Sequence, residues 1–297
     1  MALTEEQLKA RACGLGGSDC AAALGLSPWK APVELYHEKC AALGDEITLE
    51  VEVLPSEPMR WGILLEPVIR QEYALRTGRT VHVPTTTLQH PEHAFMVGNL
   101  DGITNDQRLL EVKTARTTYG WGEPDTDQIP QFYLLQVQHY LCITALPVAD
   151  VAVLIGGQEY RQYEIPADLE LQEMIIEGER VFWDAVLART PPEIDLSHPR
   201  ALEIVRKLNP GTNGKSVTAD AALDHWRSVY EDAQERAKLY QGTVAGCMAH
   251  LLYAMGEAAE LRFLDGKALR RKLQTRAAYS VPETSFIDAR WVNVKEK

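Results

Sequence analysis

The chain reads as an α/β protein, a mixed β-sheet flanked by helices with a helix and a small β element appended at its C-terminal end. Three observations predict it. Stretches of helical and strand period follow one another over residues 57–189 in the order helix, three strands, helix, two strands, helix. Turn signals rich in Gly, Pro, Asn and Asp fall between them. Finally, 297 residues with 45% hydrophobic and 24% charged content suit one core-bearing domain plus an appendage.

Residues 1–43 read as helical pieces around two turns, GLGGSD and GLSPWKAP. Ser18 and Asp19 follow two glycines and precede CAAALGL, as an N-cap precedes a short helix, where free N–H groups attract anions. A helix is predicted over 57–77, opening on Glu57-Pro58 and closed by Gly78. On it Glu66 shares a stripe with Gly62, Ile69 and Tyr73. TVHVPTTTLQH alternates as one strand would, and 94–104 with 108–114 form a hairpin. Residues 127–145 have a spacing nearer 3.6 than 2 and read as a helix. VADVAVLI and EYRQYEIP are strands joined at Gly156-Gly157, and ADLELQEMIIEGERVFWDAVLAR is an amphipathic helix stopped by Thr190-Pro191-Pro192.

Composition shifts over 191–220, which places the core at 1–195 and an extension at 196–297. In the extension 220–256 reads as one long helix and 258–290 as a small β element. NPGTNGKSV, residues 209–217, nearly spells a phosphate-binding loop. Its first glycine is replaced by Asn209 and a helix-like run precedes it, so ATP binding is not expected.

The net charge of −12 argues against a nucleic-acid coat protein but hides an asymmetry. Residues 1–200 carry 15 basic and 30 acidic side chains, and 201–297 carry 15 and 12. The acidic body suits divalent cations. The basic strip LRFLDGKALRRKLQTR, with Arg270, Arg271 and Lys272 at its centre and Arg276 at its end, suits phosphates, a partner, or plain solvation. Five scattered cysteines lack CxxC spacing, so neither disulfides nor zinc is implied, and the histidines show no ligand spacing. There is no run of eighteen apolar residues and no signal-like start, so the expected setting is the cytoplasm.

The chemistry concentrates in GNLDGITNDQRLLEVKT, residues 98–114. With Leu110 and Val112 facing inward, Glu111 and Lys113 share the other face of the strand. A three-residue loop, Asn105-Asp106-Gln107, pairs Thr104 with Arg108 and sets Asp101 opposite Glu111. A two-residue loop turns Asp101 to the wrong face. Two carboxylates that close repel unless a cation intervenes, and Mg²⁺ suits such oxygen ligands. Lys113 beside it is placed to orient or help deprotonate a water for attack on phosphorus. Read separately, Asp-Gly is a turn signal and E-x-K a solvated pair.

Asp, nine residues, then Glu-x-Lys resembles the PD-(D/E)XK nuclease fold, and the wider sequence over residues 8–190 is similar to the lambda exonuclease/YqaJ branch of phage recombination nucleases. RACGLGGSD, WGILLEP and QFYLLQVQHYL carry the likeness. The resemblance implies a metal-dependent exodeoxyribonuclease that resects linear double-stranded DNA in the 5′ to 3′ direction, using one or two Mg²⁺ ions, with Mn²⁺ as a substitute. It implies metal binding by Asp101, Glu111 and Glu66, water activation by Lys113 with support from Gln136, and a 5′-phosphate pocket at Arg11 and Ser18. It also implies work beside a single-strand annealing recombinase, and an oligomer, such as a trimeric ring, that confines basic residues to a DNA channel. Where the lambda-type exonuclease has Ser-Pro ahead of the metal aspartate this chain has Asn99-Leu100, and Asn99 offers an amide to phosphate instead. From the residues alone, Gln136 serves either a water or core packing. An endonuclease of the same fold and a non-catalytic DNA-end adaptor are the alternatives.

Overall fold

The computed structural model describes residues 5–45 and 56–273. It divides into two compact units, one through Pro210 and one from Gly211. The first begins with α1 (Glu5–Ala12), β1 (Leu15–Gly16), α2 (Gly17–Ala23) and α3 (Pro32–Ala42). Next come α4 (Glu57–Thr77), β2 (Val81–His82), β3 (Leu88–Gln89), β4 (Met96–Gly98), β5 (Gly102–Thr104) and β6 (Leu109–Ala115). α5 (Gln131–Thr144), β7 (Val148–Ile155), β8 (Glu159–Pro166), α6 (Leu169–Leu187) and α7 (Ala201–Leu208) complete it.

Five strands form the main sheet in the order β2-β5-β6-β7-β8. β6 and β7 are parallel and the other neighbours antiparallel, so the sheet is mixed, as predicted. The parallel pair needs a crossover, and α5 lies on that connection. Both faces of β6 are covered. Leu109 packs with Val137, Tyr140 and Leu141 of α5, whereas Leu110 and Val112 pack with Ile69 and Tyr73 of α4. A β6 buried on both sides leaves Glu111 2% exposed, not on an open face.

α4 has the predicted bounds. Ser56 is its N-cap, Pro58 sits in its first turn, and Gly78 closes it at φ 70°, where a side chain would be strained. α5 starts later than read, because Pro130 occupies its N-cap position. α6 is capped by Asp168, which accepts from the Leu171 N–H at 3.0 Å.

Two predicted strands are broken. TVHVPTTTLQH splits into β2 and β3, which join different sheets, and the first arm of the hairpin splits into β4 and β5. Alternation over 80–90 signals extended backbone, but the pairing partner of each piece is a tertiary matter. β4 lies between β1 and β3 in a second sheet, parallel to β1. The chain therefore changes sheets at Asn99-Leu100-Asp101.

α7 packs on the first unit: Ile204 is buried with Ala31 and Val33, and Arg200 binds Glu34 at 2.8 Å. Residues 196–210, read from sequence as extension, thus lie with the core. Because the segment before residue 209 is helix α7 and not a strand, the nucleotide-loop context is absent. The second unit holds α8 (Ala221–Met255), capped by Asp220, and the hairpin β9 (Glu260–Arg262)–β10 (Ala268–Arg270). Arg270, Arg271 and Lys272 are exposed there. Arg270 pairs with Glu260, and the Arg271 guanidinium donates to the carbonyls of Ala258 and Gly256. Arg276 and the remainder of the predicted β element lie outside the described residues.

Candidate active site

The hairpin register decides where the acids fall. Gly102 pairs with Leu110, Ile103 with Leu109, and the Thr104 N–H donates to the Arg108 carbonyl at 2.9 Å. Gln107 takes φ 60°, the left-handed turn of a three-residue loop. Extending that pairing by one residue sets Asp101 opposite Glu111. The next rung of the ladder would give the Val112 N–H to the Leu100 carbonyl. Here the Asp101 side chain takes it instead, Oδ2 accepting from Val112 at 2.8 Å.

On the α5 side Gln136 joins the pieces. Its Nε2 donates to Glu111 Oε1 at 2.8 Å, and its Oε1 accepts from Lys113 Nζ at 3.0 Å. Lys113 Nζ also contacts Glu111 Oε1 at 2.6 Å and lies 4.8 Å from the centre of the Tyr133 ring. Gln136 is therefore not a core amide satisfied elsewhere. α2 comes close to this face of α5, since a Cβ on Gly17 would stand 2.6 Å from the Tyr140 ring and 3.1 Å from Gln136 Cγ.

Glu66 enters from α4. Arg70, one turn on, donates to Glu66 Oε1 at 2.9 Å and to the Asp101 carbonyl at 2.8 Å. Arg70 thus ties the helix-borne acid to the backbone of the strand-borne one. Sequence reading passed over it, although an arginine four residues from a glutamate on one helix face was a usable signal.

The electrostatics call for a cation. Burial, then the neighbouring Glu111 charge, pushes the Asp101 carboxyl up to about 8 despite the opposing Lys113 ammonium. Glu111 Oε2 is buried with no hydrogen-bond partner. An orphaned carboxylate oxygen beside a second carboxylate is what a hard divalent ion satisfies, so the donor set fits Mg²⁺ or Mn²⁺. Burial opposes the charge on Lys113, but Glu111 and Asp101 outweigh it and its pKa is raised. Held as ammonium, Lys113 is a positive charge and hydrogen-bond donor in the site and not a proton acceptor.

Arg11 and Ser18 line the same cleft of about 800 Å³ as these groups, and Asn99 does too. Arg11 donates to Ser18 Oγ at 2.6 Å and to Asp19 Oδ1 at 3.2 Å. Asp19 and Lys39 are both 2% exposed in their side chains and 2.8 Å apart. Two cations thus share one carboxylate, leaving one positive charge beside the cleft. The predicted cap is corrected: Gly16, not Ser18, is the N-cap, and Asp19 reaches back to the Gly16 N–H at 3.2 Å. The amide start is occupied by that carboxylate, so the positive charge at this end of the cleft is that of the Arg11 side chain and not of free helix amides. Asn99 Oδ1 accepts from Thr87 Oγ1 at 2.8 Å.

One further cluster is buried nearby in the fold. Cys20 Sγ, a His139 ring nitrogen and a Glu179 oxygen lie within 4.8 Å of one another. His139 faces the Val97 carbonyl with Nε2 at 3.1 Å, which requires N–H there, and Glu179 Oε1 with Nδ1 at 2.8 Å. Both ring nitrogens are engaged, consistent with a structural histidine. Residues so distant in sequence gave no spacing signal.

Glu111 and Lys113 on β6, Asp101 just ahead of β5, and Glu66 and Gln136 on flanking helices make a PD-(D/E)XK-like α/β fold. Its overall course is similar to the alkaline exonuclease LHK-Exo from Laribacter hongkongensis, solved alone and with dAMP. Against the dAMP complex the TM-score is 0.51 at 22% identity, over 63% of this chain and 94% of that one. Residues 6–147 match the YqaJ-like viral recombinase domain. The chain is 35% identical to the uncharacterized protein YqaJ of Bacillus subtilis (strain 168) over 222 residues, 73% of this chain and 67% of that one. It belongs to the YqaJ-like viral recombinase family.

Proposed function

We propose that this protein is a divalent-metal-dependent exodeoxyribonuclease that resects linear double-stranded DNA ends from the 5′ side, for phage-type recombination by strand annealing. The observation that carries the reading is the Glu111 side chain. One of its oxygens is held by Lys113 and Gln136, the other is buried without a hydrogen-bond partner, and the register sets the residue opposite Asp101. Asp101, Glu111 and Glu66 would hold one or two Mg²⁺ ions, or Mn²⁺. When bound, the metal acts as a Lewis acid toward the scissile phosphate.

The remaining work falls to the chain itself. Lys113 orients the attacking water and offsets charge at phosphorus, while Gln136 fixes Lys113 against Glu111. Arg11 and Ser18 bind the terminal 5′ phosphate, an arrangement supported by the excess positive charge beside Asp19. Asn99 offers a further amide. The exposed Arg270, Arg271 and Lys272 contact DNA or the annealing partner. An acidic first unit disfavours loose duplex binding, which supports an oligomeric ring with an inward basic surface. The setting is the cytoplasm of a bacterial host. Among the described residues no helix is long and apolar enough to cross a membrane.

The test is digestion of 5′-phosphorylated linear duplex with and without Mg²⁺, beside a covalently closed circle. Mononucleotides released from the linear form only with the ion are expected. Cleavage of the circle would instead support the endonuclease reading, and metal-independent binding with no product would support an adaptor.

A further inference from the structure

At the mouth of the cleft stands Trp29, 58% exposed although its loop is held firmly. Ser27, buried beneath it, accepts from the Trp29 and Lys30 N–H groups at 3.2 and 3.3 Å, and its carbonyl meets His198 Nε2 at 2.8 Å. Lys30 is tied to Glu38 at 2.5 Å. The order of this loop therefore owes little to the indole itself. The indole and Phe132 meet in a T-shaped contact with ring centroids 4.3 Å apart, and the Tyr133 ring lies 6.3 Å away. Tyr133 in turn supports Lys113. A single ring thus separates the indole from the catalytic ammonium, a step within the reach of one nucleotide.

The same cleft is lined by Pro58, Met59 and Ile63 of α4, and Met59 and Ile63 are exposed. Its chemistry is divided: carboxylates, Lys113 and Arg11 suit a phosphate, whereas Trp29 and these aliphatic groups suit something flat and apolar. A nucleotide has both ends. We infer that Trp29 is a stacking platform for the nucleobase of the terminal nucleotide whose phosphate lies at the acidic centre. Stacking reads a π-face and no hydrogen-bond edge, so the platform grips any base and suits an enzyme that advances through arbitrary sequence. For the identity of the substrate the inference rests on the nuclease reading above.

The test separates the two. Anisotropy in Ca²⁺ compares a labelled 5′-phosphorylated duplex with the same duplex carrying an abasic terminal 5′ nucleotide, for the full-length wild type, Trp29→Ala and Trp29→Phe. Loss of one stacked base weakens binding about 5- to 150-fold. The wild type and Trp29→Phe are expected to lose affinity for the abasic end by that factor, and Trp29→Ala to bind both ends equally weakly with an unchanged circular-dichroism spectrum. Equal wild-type affinity for the two ends, no wild-type binding, or discrimination that survives in Trp29→Ala overturns the platform. Base-dependent binding without any Mg²⁺-dependent product overturns the nuclease reading and leaves the platform standing.

Discussion

Asp101 Oδ2 accepts a hydrogen bond from the backbone N–H of Val112 at 2.8 Å. The carboxylate is thereby fastened to the strand that carries Glu111 and Lys113, at the point where β5 has ended and can no longer supply a carbonyl. One side-chain bond both ends the ladder and aims an acid at the site. The consequences below follow from that geometry and from the groups around it.

Lys113→Ala removes the ammonium next to Glu111 and leaves the sheet intact. Cleavage is expected to fall by on the order of 10²–10⁴-fold, the range for loss of a positioned catalytic group. Gln136→Ala should be milder, about 10- to 100-fold, because it orients Glu111 and Lys113 rather than reacting. Steady-state rates on linear duplex, with circular dichroism as the folding control, check both.

Arg70 is the bracket between Glu66 and the Asp101 backbone. Arg70→Met should shift the Mg²⁺ concentration for half-maximal activity upward by about tenfold, with a smaller change in the rate at saturating metal. A purely structural arginine would lower the melting temperature without moving the metal requirement, and titration with Mg²⁺ distinguishes the two.

The metal-free protein should lose stability as pH rises. Asp101 titrates near 8 in the folded chain against an ordinary 3.8, so between those values the folded state binds more protons than the unfolded one. Unfolding free energy then falls with pH by up to about 1.4 kcal/mol per unit across that window. Saturating Mg²⁺ should flatten the slope, as should Asp101→Asn. Melting curves at pH 5 and 8, with and without the ion, measure it, and an equal metal-free stability at both would refute the assignment.

Asp19 answers to the opposite sign. Burial opposes its ionisation, but Arg11 and Lys39 hold its carboxyl well below the usual range. The stability it contributes is present above the ordinary carboxylate value and is lost as pH falls toward its folded value. Asp19→Ala leaves the buried Lys39 ammonium uncompensated and should cost about 3–5 kcal/mol. Denaturant unfolding at neutral pH checks the magnitude.

Local order was legible where local chemistry sets it. The bounds of α4 follow from Pro58 and Gly78, whose backbone restrictions need no partner. The Asn105-Asp106-Gln107 loop and the period-two rule put Asp101 opposite Glu111 before any contact was known. Strand continuity was not legible, because β2 and β3 look alike as extended chain yet pair in different sheets. The capping position given to Ser18 was misread for a related reason: the cap of α2 depends on Asp19, which is held by Lys39 from another helix.

By itself, then, the sequence determined the identity and spacing of Asp101, Glu111 and Lys113 and the helices bearing Glu66 and Gln136, since periodicity and turn stereochemistry act within a few residues. The tertiary structure alone decided that Gln136 joins Glu111 to Lys113, that Arg70 binds Glu66 to the Asp101 backbone, and that Trp29 stands at the mouth of their cleft. Those relations depend on which faces of separate elements meet, and that is settled by packing around both sides of β6.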